Sequence, residues 1–266
     1  MSYFLNLFEL VKDILLPPLC VVCGKINPDY LCSECDLKIK IFGGAVCDRC
    51  GKPLNMDESG EFNHGFKFCS LCNNENYYFY KARSYCIYEG AAAKIIHKYK
   101  YKGYEYISKI LAQFLEKAYK NYYSNEEIDF IDTVPDYSGT YHSLRYFSVN
   151  RYQSDTSISG SMIRNNAAGN HMQTLALLFS KFTGIPFSNN IIKIKETPKQ
   201  QKLDRNSRKV NLYETFKVKN CFLVYGKNFL IIDDVWTTGS TLNEISSILK
   251  KSGANKIFLL TLARPV

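Results

Sequence analysis

The residues with most chemistry to offer run Phe229-Leu-Ile-Ile-Asp233-Asp234-Val-Trp-Thr237-Thr238-Gly239-Ser240-Thr241. An apolar stretch of strand type delivers two adjacent carboxylates at its carboxyl end. A turn of hydroxyls and one glycine then leads into a helix. Backbone N–H groups, hydroxyls and the helix dipole converge there on a bound phosphate. Gly239 lets the backbone come close to it. The carboxylates of Asp233 and Asp234 suit vicinal hydroxyls, as on a ribose. Neither a GxxxxGK[ST] loop nor a GxGxxG fingerprint occurs, so this is neither a Walker loop nor a dinucleotide turn.

The second chemical feature is a cysteine repeat. Cys20-Val-Val-Cys23-Gly-Lys is followed by Cys32-Ser-Glu-Cys35, and Cys47-Asp-Arg-Cys50-Gly-Lys by Cys69-Ser-Leu-Cys72. Two residues between thiolates let one turn present both sulfurs to one metal, and the following glycine permits the tight turn. Four thiolates close a tetrahedral site, which favours two structural Zn²⁺ over iron–sulfur, redox dithiols or disulfides. Internal repetition favours the sequential sets 20/23/32/35 and 47/50/69/72. The interleaved sets 20/23/47/50 and 32/35/69/72 are the alternative. His64 reads as a surface-loop histidine rather than a substitute ligand. Cys86 and Cys221 read as small buried apolar residues.

These features need elements to hold them. Residues 4–16 place Phe4, Leu7, Phe8, Val11, Ile14 and Leu15 at helical spacing, stopped by Pro17-Pro18. Residues 18–75 are cysteine-punctuated without long periodicity, and so short a segment needs metal to fold. Residues 77–90 include a strand, and 91–120 read as a long basic helix with a break at Gly103. From 128 onward, strands at 128–134, 191–194, 229–233 and 256–262 alternate with helices at 171–183 and 241–251. That alternation predicts an α/β domain with a mainly parallel sheet. The expected domains are therefore 1–75 and 76–266.

The 266 residues are 46% hydrophobic and 22% charged, with net charge +9, a globular rather than a disordered composition. The surplus charge is concentrated. Residues 94–120 carry seven basic and two acidic side chains, and residues 193–219 carry nine and three. Concentrated positive charge fits a polyanionic partner. Tyr99, Tyr101, Tyr104 and Tyr106 interleave with the first basic stretch, a pattern suited to backbone tracking with base stacking. No apolar run reaches the roughly 18 residues of a membrane span. The first residues lack the basic start of a secretory signal, so a cytoplasmic location is expected.

The motif IIDDVWTTGST resembles the 5-phosphoribosyl-1-pyrophosphate (PRPP) loop of type I phosphoribosyltransferases. The chain as a whole resembles the ComF family of competence proteins. LLPPLCVVCGK, CDRCGKPL, IIHKYKYKGYEYISKILAQFL, TPKQQKLDRNSRKVNLYETF and SGANKIFLLTLAR carry the likeness. It implies a phosphoribosyltransferase-like mainly parallel sheet flanked by helices, behind a small N-terminal zinc-ribbon module. It also implies that Asp233 and Asp234 hold the ribose hydroxyls and act in any catalysis, and that Thr237, Thr238, Gly239, Ser240 and Thr241 hold the 5-phosphate. Arg205 and Arg208 would sit on a mobile loop that closes over the ligand. Mg²⁺ would accompany PRPP, and single-stranded DNA and a competence helicase would be the partners in natural transformation. The alternative is an active enzyme that moves the phosphoribosyl group to a small base or ammonia. After Val134-Pro135 the chain departs from the family's compact arginine-rich segment. Residues 136–171 are instead rich in Ser and Asn.

Overall fold

The structure, a computed structural model, describes residues 17–54, 62–63, 66–102, 105–135, 171–195 and 215–266. The helix expected over residues 4–16, His64, the segment 136–170, and Arg205 and Arg208 lie outside the described residues. In chain order the elements are α1 (Ser33–Asp36), β1 (Phe62–Asn63), β2 (Phe66–Lys67), α2 (Ser70–Asn74), β3 (Lys81–Ile87), α3 (Gly90–Lys102) and α4 (Glu105–Tyr122). They continue with β4 (Phe130–Thr133), α5 (His171–Thr183), β5 (Ile191–Lys193), β6 (Phe216–Val218), β7 (Phe229–Val235), α6 (Ser240–Lys251) and β8 (Ile257–Arg264).

Four strands form a parallel sheet in the order β3-β8-β7-β4. The two central strands are apolar on both faces, as a sheet covered on both sides requires. Alternation sorts their side chains. Leu230, Ile232, Phe258, Leu260 and Leu262 pack with α3, α4 and α5. Phe229, Ile231, Ile257 and Leu259 pack on the other face with Leu242, Ile245 and Leu249 of α6. Those three leucine and isoleucine positions, spaced three and four apart, form one stripe of α6. The helix ends in paired hydrogen bonds, Gly253 N–H to the Lys250 carbonyl and Ala254 N–H to the Leu249 carbonyl, both 3.0 Å. Gly253, at φ 89°, makes that closure. Ile191–Lys193, one of the strands expected from the sequence, lies outside the sheet and pairs antiparallel with β6.

The cysteine-rich segment closes the β3 edge. Ala82 N–H donates to the Arg49 carbonyl at 2.7 Å, and Ile87 N–H to the Lys40 carbonyl at 2.8 Å. An edge strand that would otherwise offer bare hydrogen-bonding groups is thereby partnered near both of its ends.

Candidate phosphate loop and zinc ribbons

The two halves of the cysteine repeat fold alike. Cys20 N–H bonds the Lys25 carbonyl and Cys47 N–H the Lys52 carbonyl, at 2.7 and 2.8 Å. Gly24 and Gly51 follow at φ 76° and 69° and donate back to the Cys20 and Cys47 carbonyls. Cys32 N–H points at the Cys20 sulfur (3.5 Å) and Cys69 N–H at the Cys47 sulfur (3.4 Å). The CSxC pairs open α1 and α2. The sulfurs gather sequentially, Cys20/Cys23/Cys32/Cys35 and Cys47/Cys50/Cys69/Cys72, each set within 4.8 Å. This resolves the pairing in favour of the sequential arrangement. Four thiolates with N–H donors aimed at sulfur fit two closed zinc sites. Burial opposes ionisation of Cys20, yet the N–H groups of Cys32, Cys23 and Val22 bring its pKa down to about 6. Cys86 is buried as expected, whereas Cys221 is exposed, because its turn lies outside the core.

The loop after β7 is built by one glycine and one tryptophan. Gly239 has φ 74°, the left-handed region, and caps α6. A Cβ there would sit 2.5 Å from Trp236 Cζ2, so glycine is required for space as well as conformation. Having no side chain, the cap residue leaves the first turn of α6 without a side-chain cap. Thr238 Oγ1 and Ser240 Oγ lie 3.0 Å apart. Thr237 is exposed, and Thr238, Ser240 and Thr241 are half-buried. The expected phosphate-binding residues thus share one turn, with N–H groups and hydroxyls together. Trp236 is held from behind, edge-on to Phe79 and under the Arg264 guanidinium, 5.2 Å from the ring centre. Arg264 Nη1 also donates to the Cys50 carbonyl at 2.5 Å. The second zinc ribbon therefore buttresses the loop through Arg264 and Trp236.

The two carboxylates part company. Asp233 accepts from Asp234 N–H at 2.9 Å and is half-buried. Asp234 is 6% exposed and turns toward α3 and α5. Its Oδ2 lies 2.6 Å from Lys100 Nζ and 3.7 Å from His171 Nε2. Burial works against its ionisation, but the His171 contact and the Lys100 charge outweigh it and hold the carboxyl below its ordinary range. Burial likewise works against the Lys100 ammonium, and Asp234 and Asp233 more than restore it. Asp234 is thus paired within the chain, and Asp233 is the more accessible acid. Sequence reasoning missed Lys100, His171, Trp236 and Arg264. The lysine-rich helix was visible, but nothing in its spacing picks out the one lysine that reaches β7.

The chain matches the double zinc ribbon domain over residues 11–86 and the phosphoribosyl transferase domain over residues 174–265. It is 25% identical to competence protein F of Haemophilus influenzae, over 89% of this chain and 97% of that one. It is 24% identical to competence protein ComFC of Streptococcus pneumoniae, over 88% and 87%. The DNA utilization protein YhgH of Escherichia coli is 35% identical, over 29% of this chain and 33% of that one. Among solved structures, an allosteric regulatory enzyme of purine biosynthesis aligns at 19% identity and a TM-score of 0.34. That alignment covers 58% of this chain and 25% of that one, too partial a likeness to carry weight. The fold and its two zinc ribbons define a phosphoribosyltransferase-like protein. Along nearly its whole length the chain is similar to the competence proteins F and ComFC.

Proposed function

We propose that this protein binds PRPP with Mg²⁺ at the β7–α6 loop and acts in DNA uptake, on the cytoplasmic side, with single-stranded DNA and a competence helicase as partners. The observation that carries the reading is the loop itself. A glycine-capped helix N-terminus and four hydroxyl residues stand beside two carboxylates at the carboxyl end of a sheet strand, where open α/β sheets bind ligands. The names of the full-length relatives support the role in DNA uptake. Ligand thiolates kept reduced accord with a cytoplasmic location, and among the described residues no helix is long and apolar enough to cross a membrane.

In this reading the N–H groups and hydroxyls of Thr237–Thr241 take the 5-phosphate, and Asp233 takes ribose hydroxyls. Asp234 acts through Lys100, since a carboxylate already neutralised by an ammonium repels an anionic ligand less than a bare one. Mg²⁺ would supply charge neutralisation at the pyrophosphate. The test is thermal melting of zinc-loaded protein with and without PRPP and Mg²⁺, beside an Asp233→Ala/Asp234→Ala variant. Ligand at about 100 times Kd adds about 2.7 kcal/mol. A shift in the wild type that the variant loses is the expected result. No shift in the wild type would overturn the reading.

A further inference from the structure

At the amino-terminal ends of the strands, opposite the phosphate loop, residues 216–228 and 250–256 come together. Gly226 N–H bonds the Gly253 carbonyl and Asn255 N–H the Lys227 carbonyl, both 2.9 Å. The Tyr225 ring lies over Gly253, so close that a Cβ there would meet it at 2.6 Å. The two segments hold Lys217, Lys219, Lys227, Lys250, Lys251 and Lys256 and no Asp or Glu. Asp129, from the neighbouring strand entry, pairs with Lys227 at 2.9 Å. Among these lysines, Phe222 is 94% exposed and Tyr225 78% exposed. Tyr80, half exposed at the start of β3, lies under Lys256 with the ammonium 4.7 Å from the ring centre. A phenylalanine so exposed contributes almost nothing to the core, and exposed rings set among cations point to a ligand with flat faces and negative charge.

We propose that this surface binds single-stranded nucleic acid, with Phe222, Tyr225 and Tyr80 stacking on bases and the surrounding lysines following the phosphates. The inference rests on the DNA-uptake reading and deepens it, placing the strand at the end of the sheet away from the phosphate loop. Three arguments select the ligand. Unpaired bases offer π-faces to aromatic side chains, whereas duplex bases are already stacked on one another. Among the described residues these two segments hold only the short strand β6, a single turn at Cys221–Leu223 and the last residues of α6, not a free helix or ribbon that could enter a duplex groove. Protein–protein interfaces are depleted in lysine, the residue that dominates this surface.

The test is fluorescence anisotropy with a labelled oligothymidylate of about 20 nucleotides, longer than a single site of this kind. Phe222→Ala/Tyr225→Ala is expected to weaken binding at least tenfold while leaving the melting temperature near the wild-type value. Lys217→Gln/Lys251→Gln is expected to reduce the slope of log affinity against log salt by about 1.4, at about 0.7 per phosphate contact on a single strand. Both variants should keep the PRPP-dependent melting shift. Unchanged binding in the aromatic variant, with loss instead in Lys94→Gln/Lys109→Gln, would overturn this surface and leave the DNA-uptake reading standing. Competition by polyglutamate as effective as by the oligonucleotide would overturn it in favour of an acidic protein partner. No binding of the oligonucleotide by the wild type would overturn both this surface and the single-stranded DNA partnership.

Discussion

The two zinc ribbons share a sequence pattern, a hairpin and a set of N–H-to-sulfur bonds, yet they sit in different surroundings. In the first, Cys23 is exposed and Cys32 half-buried; in the second, all four cysteines are buried. The first ribbon leans on helices, with Lys98 Nζ donating to the Val21 carbonyl at 2.6 Å and Tyr30 stacked on Tyr106. The second is part of the core beneath α6, where its cysteines pack with Phe79, Ala82 and Trp236. The same metal knuckle thus serves once as an outer brace and once as a wall of the sheet. Each also reaches the phosphate loop by its own route. The first holds α3, which carries Lys100 to Asp234. The second acts through Arg264 and Trp236 on Gly239.

Breaking each site separately is the strongest probe of this difference. Cys50→Ser should abolish cooperative folding, because a structural zinc site contributes on the order of 10 kcal/mol and a whole domain is stable by only about 5–15 kcal/mol. Cys23→Ser, at the exposed ligand of the outer site, should lose one zinc and unfold that ribbon locally, while the sheet, whose core contains only the second site, keeps a cooperative melt. Zinc analysis together with circular dichroism reads both. A chelator should accordingly remove zinc in two phases, the slow one coinciding with unfolding.

The paired glycines sharpen the contrast. An alanine at Gly24 meets nothing within 4 Å, whereas at Gly51 its Cβ would lie 2.7 Å from the Ala82 carbonyl oxygen. Gly24→Ala should cost about 1 kcal/mol for the left-handed backbone alone. Gly51→Ala should cost about 3 kcal/mol, since overpacking against the sheet edge adds to that strain. Equal costs, measured by urea unfolding, would contradict the different roles assigned to the two ribbons.

The routes to the loop come next in size. Arg264→Met should cost about 2 kcal/mol by leaving the Cys50 carbonyl without its donor, and it should weaken PRPP binding because Trp236 loses its support. Lys100→Met should cost about 1 kcal/mol, less than a fully buried pair, because the Lys100 side chain is 38% exposed. Its signature is in the pH dependence. Asp234 titrates below its ordinary value of 3.8 in the folded protein. Its contribution is therefore present above that value and is lost as the pH falls through the lower folded pKa. Lys100→Met should flatten this acid limb in melts taken below about pH 4.

Much of this arrangement was legible in the sequence, for physical reasons. The short apolar runs at 229–232 and 257–260 suit strands covered on both faces, and the CxxC repeat carries its own geometry. The helix at 171–183 was bounded by Gly184 and Pro186. What the sequence did not reveal were contacts between residues far apart in the chain. Lys100 and Asp234 are brought together only by the packing of α3 on the sheet, and Arg264 reaches Cys50 only because the ribbon closes the β3 edge. The displacement of Ile191–Lys193 from the sheet has the same origin, since its partner strand β6 follows more than 20 residues later. The exposure of Cys221 was missed because a short apolar run, CFLV, reads like core.

The central claim is that the β7–α6 loop is a working phosphoribosyl site, and calorimetric titration tests it most directly. PRPP with Mg²⁺ should bind the zinc-loaded wild type, and Asp233→Asn, which leaves the Lys100–Asp234 pair and the loop backbone in place, should weaken binding at least tenfold. Equal affinity in the two proteins would contradict the assignment of the ribose hydroxyls to Asp233, and absence of heat in both would contradict the site itself.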